Sequence, residues 1–66
     1  MRKFQIYIQR GIVKDISSLL ILGSVQYIAE HIDTKEAYES AMKEGERIFG
    51  HLDIMQLIVV HVEEKQ

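Results

Sequence analysis

Ile54-Met55-Gln56-Leu57-Ile58-Val59-Val60-His61-Val62 is the stretch that decides the fold. β-branched residues dominate its second half and no glycine or proline interrupts it, which favours a strand over a helix. Because the side chains of a strand alternate between two faces, Ile58 and Val60 share one face while Leu57 and Val59 share the other. Both faces are apolar in the middle of the stretch, a pattern that is typical of a strand covered on two sides.

The composition limits what such a strand can be covered with. The chain has 66 residues, so we expect a single small domain, residues 1–66, near the lower size limit for a self-sufficient core. It contains no cysteine, which excludes disulfides and thiolate metal sites as sources of stability. The hydrophobic share of 47% is that of a globular protein rather than a disordered one.

The net charge of −2 is unevenly distributed. Residues 1–15 hold four bases and one acid, giving +3, and residues 16–66 hold four bases and nine acids, giving −5. This asymmetry is compatible with docking to a partner or to a second copy. The apolar run at residues 16–25 is too short to span a bilayer, and polar residues break any signal-peptide core near the N-terminus. We therefore predict a cytoplasmic protein without membrane contact.

Two further segments are predicted to be strands. Phe4 to Gln9 alternates apolar and polar residues and predicts a half-buried strand, which Gly11 is expected to end before a connection over residues 11–18. Residues 19–32 fit two interpretations, a strand or a helix. A helix here would have apolar positions all round its surface, which is unfavourable for a surface helix. Their β-branched and aromatic residues favour a long strand, bent or bulged near Gly23.

Residues 34–49 are predicted to form a helix. Asp33 can cap it while Glu36 returns a hydrogen bond, as in a capping box, and Gly50 can end it with a positive φ. Glu39 and Lys43 are spaced to form an ion pair on the outer surface.

Ala37, Ala41 and Gly45 form a stripe of small residues along this helix. Glycine within a helix costs about 1 kcal/mol relative to alanine, so a close contact must favour it. The contact is expected to be with the sheet, and a helix–helix contact between subunits is the alternative.

The predicted fold is therefore α+β with the order ββαβ: a three-stranded, mainly antiparallel sheet with one helix on one face. The first strand should lie between the other two, joined through a right-handed crossover. Leu19 and Ile21 are expected on the helix-covered face. The opposite face is expected to carry Tyr7, Leu20, Leu22, Ile28, Met55, Leu57 and Val59.

That second face predicts the class of function. Fully burying a side chain of this kind stabilises by roughly 1.5–3 kcal/mol, and a large exposed apolar patch is typical of an interaction surface. A second copy is the simplest cover, because most soluble oligomers are symmetric homo-oligomers. We predict a non-enzymatic protein–protein interaction module that forms a homodimer or other homo-oligomer, or binds another protein partner.

Motifs for chemistry are weak. The three histidines lack ligand-like spacing; His51 is expected beside the helix C-terminus, whereas His31 and His61 could meet across the sheet and bind a metal or titrate together. No nucleophile elbow, carboxylate cleft or phosphate-binding loop is present. The prediction is therefore no enzyme, no cofactor and no dedicated metal site.

Single-stranded nucleic-acid binding is the alternative function. Arg2, Lys3, Arg10 and Lys14 flank a strand that exposes Tyr7, and bases can stack on such a surface. The acidic total charge argues against it. The acidic residues of the helix, in turn, could mimic nucleic-acid phosphates toward a basic protein. Small size and lack of a catalytic signature are also typical of regulatory or inhibitor proteins of phages and other mobile elements.

Overall fold

The computed structural model describes residues 1–50 and 55–66. Its elements, in chain order, are β1 Arg2–Asp15, β2 Ser18–His31, α1 Thr34–Phe49 and β3 Gln56–Lys65. The sheet has the order β2-β1-β3, and β1 is antiparallel to both neighbours. The predicted α+β ββαβ architecture is confirmed, with the first strand in the centre; the right-handed crossover stays a prediction. The expectations for His51 and Ile54 lie outside the described residues.

The core lies between α1 and one face of the sheet. Its buried apolar residues are Phe4, Ile6, Ile8, Ala37, Ala41 and Val62. Tyr27, Ala29, Phe49, Ile58 and Val60 are partly buried against them. Every second residue of β1 and β3 therefore faces the helix, as the alternating sequence predicts.

β1 continues past the glycine that was expected to end it. Gly11 is buried and pairs with Ile21 of β2 and Leu57 of β3. A Cβ atom on Gly11 would lie 2.8 Å from Leu19 Cδ1 and 3.2 Å from the Leu20 carbonyl oxygen. The Leu19 side chain thus leaves little room for a side chain at this position. Because Gly11 is paired on both sides within the sheet, the expected strand end here was wrong.

The expected irregularity near Gly23 is present as a bulge. Arg10 pairs with Gly23, whereas Gly11 pairs with Ile21, so Leu22 is an extra residue in β2. An extra residue reverses the faces of the side chains on one side of the bulge relative to those on the other side. Leu19 and Ile21 therefore lie on the face away from α1, opposite to what was expected of them.

The connection between β1 and β2 is a short turn rather than the predicted loop over residues 11–18. Ile16 and Ser17 form it, and the Asp15 carboxylate accepts hydrogen bonds from the Ser17 backbone N–H at 2.8 Å and its hydroxyl at 3.0 Å. These bonds hold the pKa of Asp15 below its ordinary value. The aspartate thus stabilises the turn of the hairpin. β1 and β2 both extend to this turn and are therefore longer than predicted.

The helix begins as predicted, with one difference in the cap. The Glu36 backbone N–H donates to Asp33 Oδ1 at 2.8 Å, while the Glu36 carboxylate accepts from the Ile32 backbone N–H at 2.7 Å instead of from Asp33. At the other end, Gly50 has φ 70° and donates its N–H to the Glu46 carbonyl. A glycine is favoured there because positive φ is unfavourable for other residues.

The small-residue stripe of α1 faces the sheet. Ala37, Ala41 and Gly45 are all buried. A Cβ on Gly45 would lie 3.0 Å from Ile8 Cγ2 and 3.0 Å from Ile58 Cγ2. The stripe therefore allows close packing of helix on sheet, and the alternative of a helix–helix contact through these residues is wrong.

Gly45→Val is expected to destabilise the fold, because two methyl groups would be forced against Ile8 and Ile58. Overpacking of this kind costs about 1–3 kcal/mol, and each kcal/mol lowers the melting temperature of a domain this size by about 4–8 °C. Thermal unfolding followed by circular dichroism measures the shift. Glu46→Val, at the next and exposed position, is the matched control and should change the melting temperature little. Equal melting temperatures for the two variants would contradict the packing described.

An ion pair joins the first residues of β1 to the last of β3. Arg2 Nη2 lies 2.6 Å from Glu64 Oε1 and Arg2 Nε lies 2.8 Å from Glu64 Oε2. This bidentate hydrogen bonding holds the pKa of Glu64 below its ordinary value of 4.5. A carboxylate with a lowered folded-state pKa adds stability above its unfolded pKa, and that stability is lost as the pH falls through the folded value.

Arg2→Met is therefore expected to raise the pKa of Glu64 toward 4.5. It should also remove the loss of folding stability that this pair causes when the pH is lowered. The carboxyl carbon shift of Glu64, followed by NMR as a function of pH, measures the change. Lys35→Met, on the outer surface of α1, is the control that should leave Glu64 unaffected. An unchanged Glu64 titration in Arg2→Met would show that the pair does not form in solution.

Candidate interaction surface

The sheet face that points away from α1 is the candidate functional surface, here called the open face. Register places the odd-numbered residues of β1 on it, because Phe4, Ile6 and Ile8 face the helix. The paired residues of β2 and β3 form rows across it. Its character changes along the strands, from polar at the end near both termini to apolar at the hairpin end.

The hairpin end of the open face carries a continuous apolar patch. Its members, here called the apolar patch, are Val13, Leu19, Ile21, Met55, Leu57 and Val59. Ile21, Gly11 and Leu57 form one row of the sheet, and Leu19 and Val13 form the next. The Val13 backbone N–H donates to the Met55 carbonyl at 2.9 Å, which extends that row to the residue before β3.

Much of the apolar patch is exposed. Met55 is 52% exposed, Leu19 43% and Ile21 41%. A shallow groove of about 260 Å³ crosses this end, lined by Val13, Leu19 and Leu57 together with residues of the turn. Large apolar side chains grouped in this way on a small domain are typical of a surface that another molecule covers.

The other end of the open face is polar. Lys3 pairs with Glu30 and Lys65, and Gln5 pairs with Glu63. His61 Nε2 lies 3.1 Å from Glu63 Oε1, and the His61 ring is 5.7 Å from the Tyr7 ring, centre to centre. Charges of both signs are present here, so this end can lie at the rim of an interface while the apolar patch lies at its centre.

The sequence placed part of this surface correctly. Met55, Leu57 and Val59 belong to the apolar patch, and Tyr7 lies on the open face at its polar boundary. Ile28 is on the open face but stands apart, in the polar row with Gln5.

Two predicted members of the open face are corrected. Leu20 pairs with Ile12, which puts it on the helix side of the sheet, and Leu22 is the extra residue of the bulge. Both remain exposed, at 45% and 44%. Leu19 and Ile21 were missed because a single inserted residue exchanges the two faces of β2. Val13 was missed because the first strand was expected to end at Gly11, whereas it continues to Asp15. Gly23 marked the region of the bulge, but not which residue is extra.

The two strand-end histidines are on opposite faces of the sheet. His31 pairs with Arg2, faces the helix, and places Nδ1 3.4 Å from Glu36 Oε2. His61 is on the open face beside Tyr7. They do not meet across the sheet, so the hypothesis that they act as a pair or share a metal ion is wrong. Within residues 1–50 and 55–66, no group of three potential ligands is arranged to hold a metal.

The five residues considered for nucleic-acid contact do not gather on one surface. Lys3 and Tyr7 are on the open face, whereas Arg2 and Arg10 are on the helix side. Arg2 is occupied by Glu64 and lies over the Phe4 ring, 5.5 Å from its centre. Lys14 lies at the irregularity next to the hairpin turn. A continuous basic track along the open face is therefore not formed by this set.

The acidic residues of α1 are largely engaged by neighbours. Glu36 accepts a hydrogen bond at the start of the helix, Glu39 lies 3.9 Å from Lys35, and Glu44 pairs with Arg47. The expected pair between Glu39 and Lys43 is replaced by the one with Lys35. Interleaved bases give the helix the mixed charge of an ordinary solvent-exposed surface.

Comparisons with protein-family models, with curated proteins and with solved structures find nothing that matches the chain. Among the described residues, no helix has the length and apolar character needed to cross a membrane.

Proposed function

We propose that this protein is a non-enzymatic interaction module that associates with a second copy of itself through the open face. The observation that carries the proposal is the apolar patch. Leu19, Ile21 and Met55 remain about half exposed, although the core of this small domain contains few buried apolar residues. Each such side chain gains roughly 1 kcal/mol when its exposed half is covered. A face of this kind is more stable when it is covered than when it faces water.

The size of the open face fits a dimer. A standard protein interface takes about 800 Å² from each partner, which is about a sixth of the 4760 Å² surface of this chain. The molecule measures 39 × 23 × 17 Å, so one broad face can supply that area. Packing two sheets face to face places the apolar patch of each copy in a shared core and leaves the charged rows at the rim.

Sedimentation equilibrium over a range of micromolar concentrations tests the proposal. We expect the mass of a dimer or a higher even-numbered oligomer, with dissociation on dilution. A folded monomer at every concentration, shown by circular dichroism on the same samples, would contradict it. A different protein would then become the better candidate for the partner that covers the open face.

The exposed apolar side chains of the open face support a role in binding rather than catalysis. A cytoplasmic location is part of the proposal, since a chain without cysteine suits a reducing compartment. A regulatory or inhibitory role, of the kind found in phages and other mobile elements, is compatible with a small self-associating module.

A further inference from the structure

We infer that the free edge of β2 pairs antiparallel with β2 of a second copy, which joins two three-stranded sheets into one of six strands. This inference rests on the proposed self-association and adds a second contact to it. β2 is an outer strand of the sheet, so its outward-facing N–H and C=O groups have no partner within the sheet. A strand from another chain can form hydrogen bonds with a row of such groups.

Past the bulge at Leu22, β2 has few of the features that keep an edge strand from pairing, and Glu30 is its one charged residue apart from the terminal His31. Residues 18–29 contain neither a charge nor a proline, whereas charged residues, proline and short length are the usual protections of exposed edges. The other outer strand, β3, carries Glu63, Glu64 and Lys65. Of the two edges, β2 is therefore the one suited to an added strand.

The regular segment of β2, residues 23–31, sets the symmetry axis of this pairing. Past the bulge, the regular part of β2 is centred on Tyr27, and Leu22 and Ile32 lie five residues to either side of it. Ile32 is 66% exposed and Leu22 is 44% exposed. In an antiparallel pair with its twofold axis at Tyr27, the ends of the paired segments bring the bulge residue Leu22 of one copy near Ile32 of the other, which follows the last residue of β2. The pairing thus covers two apolar residues that packing of the open faces leaves out.

The symmetry has a consequence for the assembly. A twofold axis between antiparallel strands is perpendicular to the sheet, so both helices lie on one side and both open faces lie on the other. The open faces remain available, and two such dimers can pack through them. The combination of both contacts is a tetramer with three mutually perpendicular twofold axes, the commonest symmetry after the simple dimer.

Amide hydrogen exchange measured by NMR on the full chain tests the inference, with β3 as the internal reference. In an unpaired edge strand, alternate amides point to solvent and exchange on the order of 100-fold faster than their inward-facing neighbours. We expect that alternation over residues 58–64 of β3. Over residues 24–30 of β2, we expect successive amides to be protected to within about tenfold of each other.

Ile32→Lys supplies the second arm, because a lysine beside the edge opposes strand addition and Ile32 is not part of the core. Sedimentation equilibrium is expected to show a tetramer for the native chain and a dimer for Ile32→Lys, with Met42→Lys on the exposed surface of α1 remaining a tetramer. An alternating exchange pattern in β2 of an oligomeric native protein would overturn this inference alone. A monomeric native protein would overturn the proposed self-association as well. A dimer with uniform protection of β2 would support pairing through the β2 edge and would contradict association through the open face.

Discussion

Ile21→Glu is expected to abolish self-association through the open face while the chain stays folded. Ile21 lies in the central row of the apolar patch, beside Gly11, and is exposed in the single chain. In an assembly it would be covered, and a buried carboxylate without a partner is destabilising by about 3–5 kcal/mol. That corresponds to an affinity lower by a factor of about 100 to 4000. Sedimentation equilibrium at micromolar concentration measures the change in mass.

Leu20→Glu is the matched control for this substitution. Leu20 is the adjacent residue of the same strand, is exposed to a similar extent, and lies on the opposite side of the sheet. It should leave association through the open face intact. If Leu20→Glu dissociates the protein and Ile21→Glu does not, the bulge at Leu22 is misplaced and the faces of β2 are reversed.

Ile6→Ala is expected to unfold most of the protein at room temperature. Ile6 is fully buried at the centre of β1, between α1 and the two outer strands. Removing a buried isoleucine side chain in this way costs about 2–5 kcal/mol, and a single core of this size rarely supplies more than about 3–5 kcal/mol. The loss therefore approaches the whole stability of the domain. Urea unfolding followed by circular dichroism measures the free energy of unfolding.

Ile16→Ala removes the same atoms from the hairpin turn, where the side chain is fully exposed. Substitutions of this kind stay within about 0.5 kcal/mol of the native stability. A similar loss for Ile6→Ala and Ile16→Ala would show that the core is not where the structure places it.

The order of the elements could be predicted because local patterns are strong where α1 and β1 begin. Alternation from Phe4 to Ile8 indicates a strand with one buried face, and the cap at Asp33 defines the helix start. These signals come from backbone hydrogen bonding and side-chain periodicity within a few residues. The tertiary arrangement confirms both, and it also shows why Gly45 is tolerated within the helix.

The composition of the open face could not be predicted to the same extent, for a physical reason. The side-chain period of a strand is two, so one inserted residue exchanges the two faces of everything beyond it. Gly23 indicates a bulge near that point, but Leu22 becomes the extra residue only through the pairing of β2 with β1. Likewise, Gly11 suggests the end of a strand when only the sequence is considered. Its close contact with the Leu19 side chain depends on the pairing of β1 with β2.

Isotope-filtered nuclear Overhauser spectroscopy on a mixture of labelled and unlabelled chains tests the central claim most directly, because it reports contacts between copies only. We predict intermolecular contacts from the methyl groups of Leu19, Ile21, Met55 and Leu57, and none from the buried methyl groups of Ile6. An oligomer whose intermolecular contacts avoid these four residues, or a protein that shows none at millimolar concentration, would contradict the proposal that a second copy covers the open face.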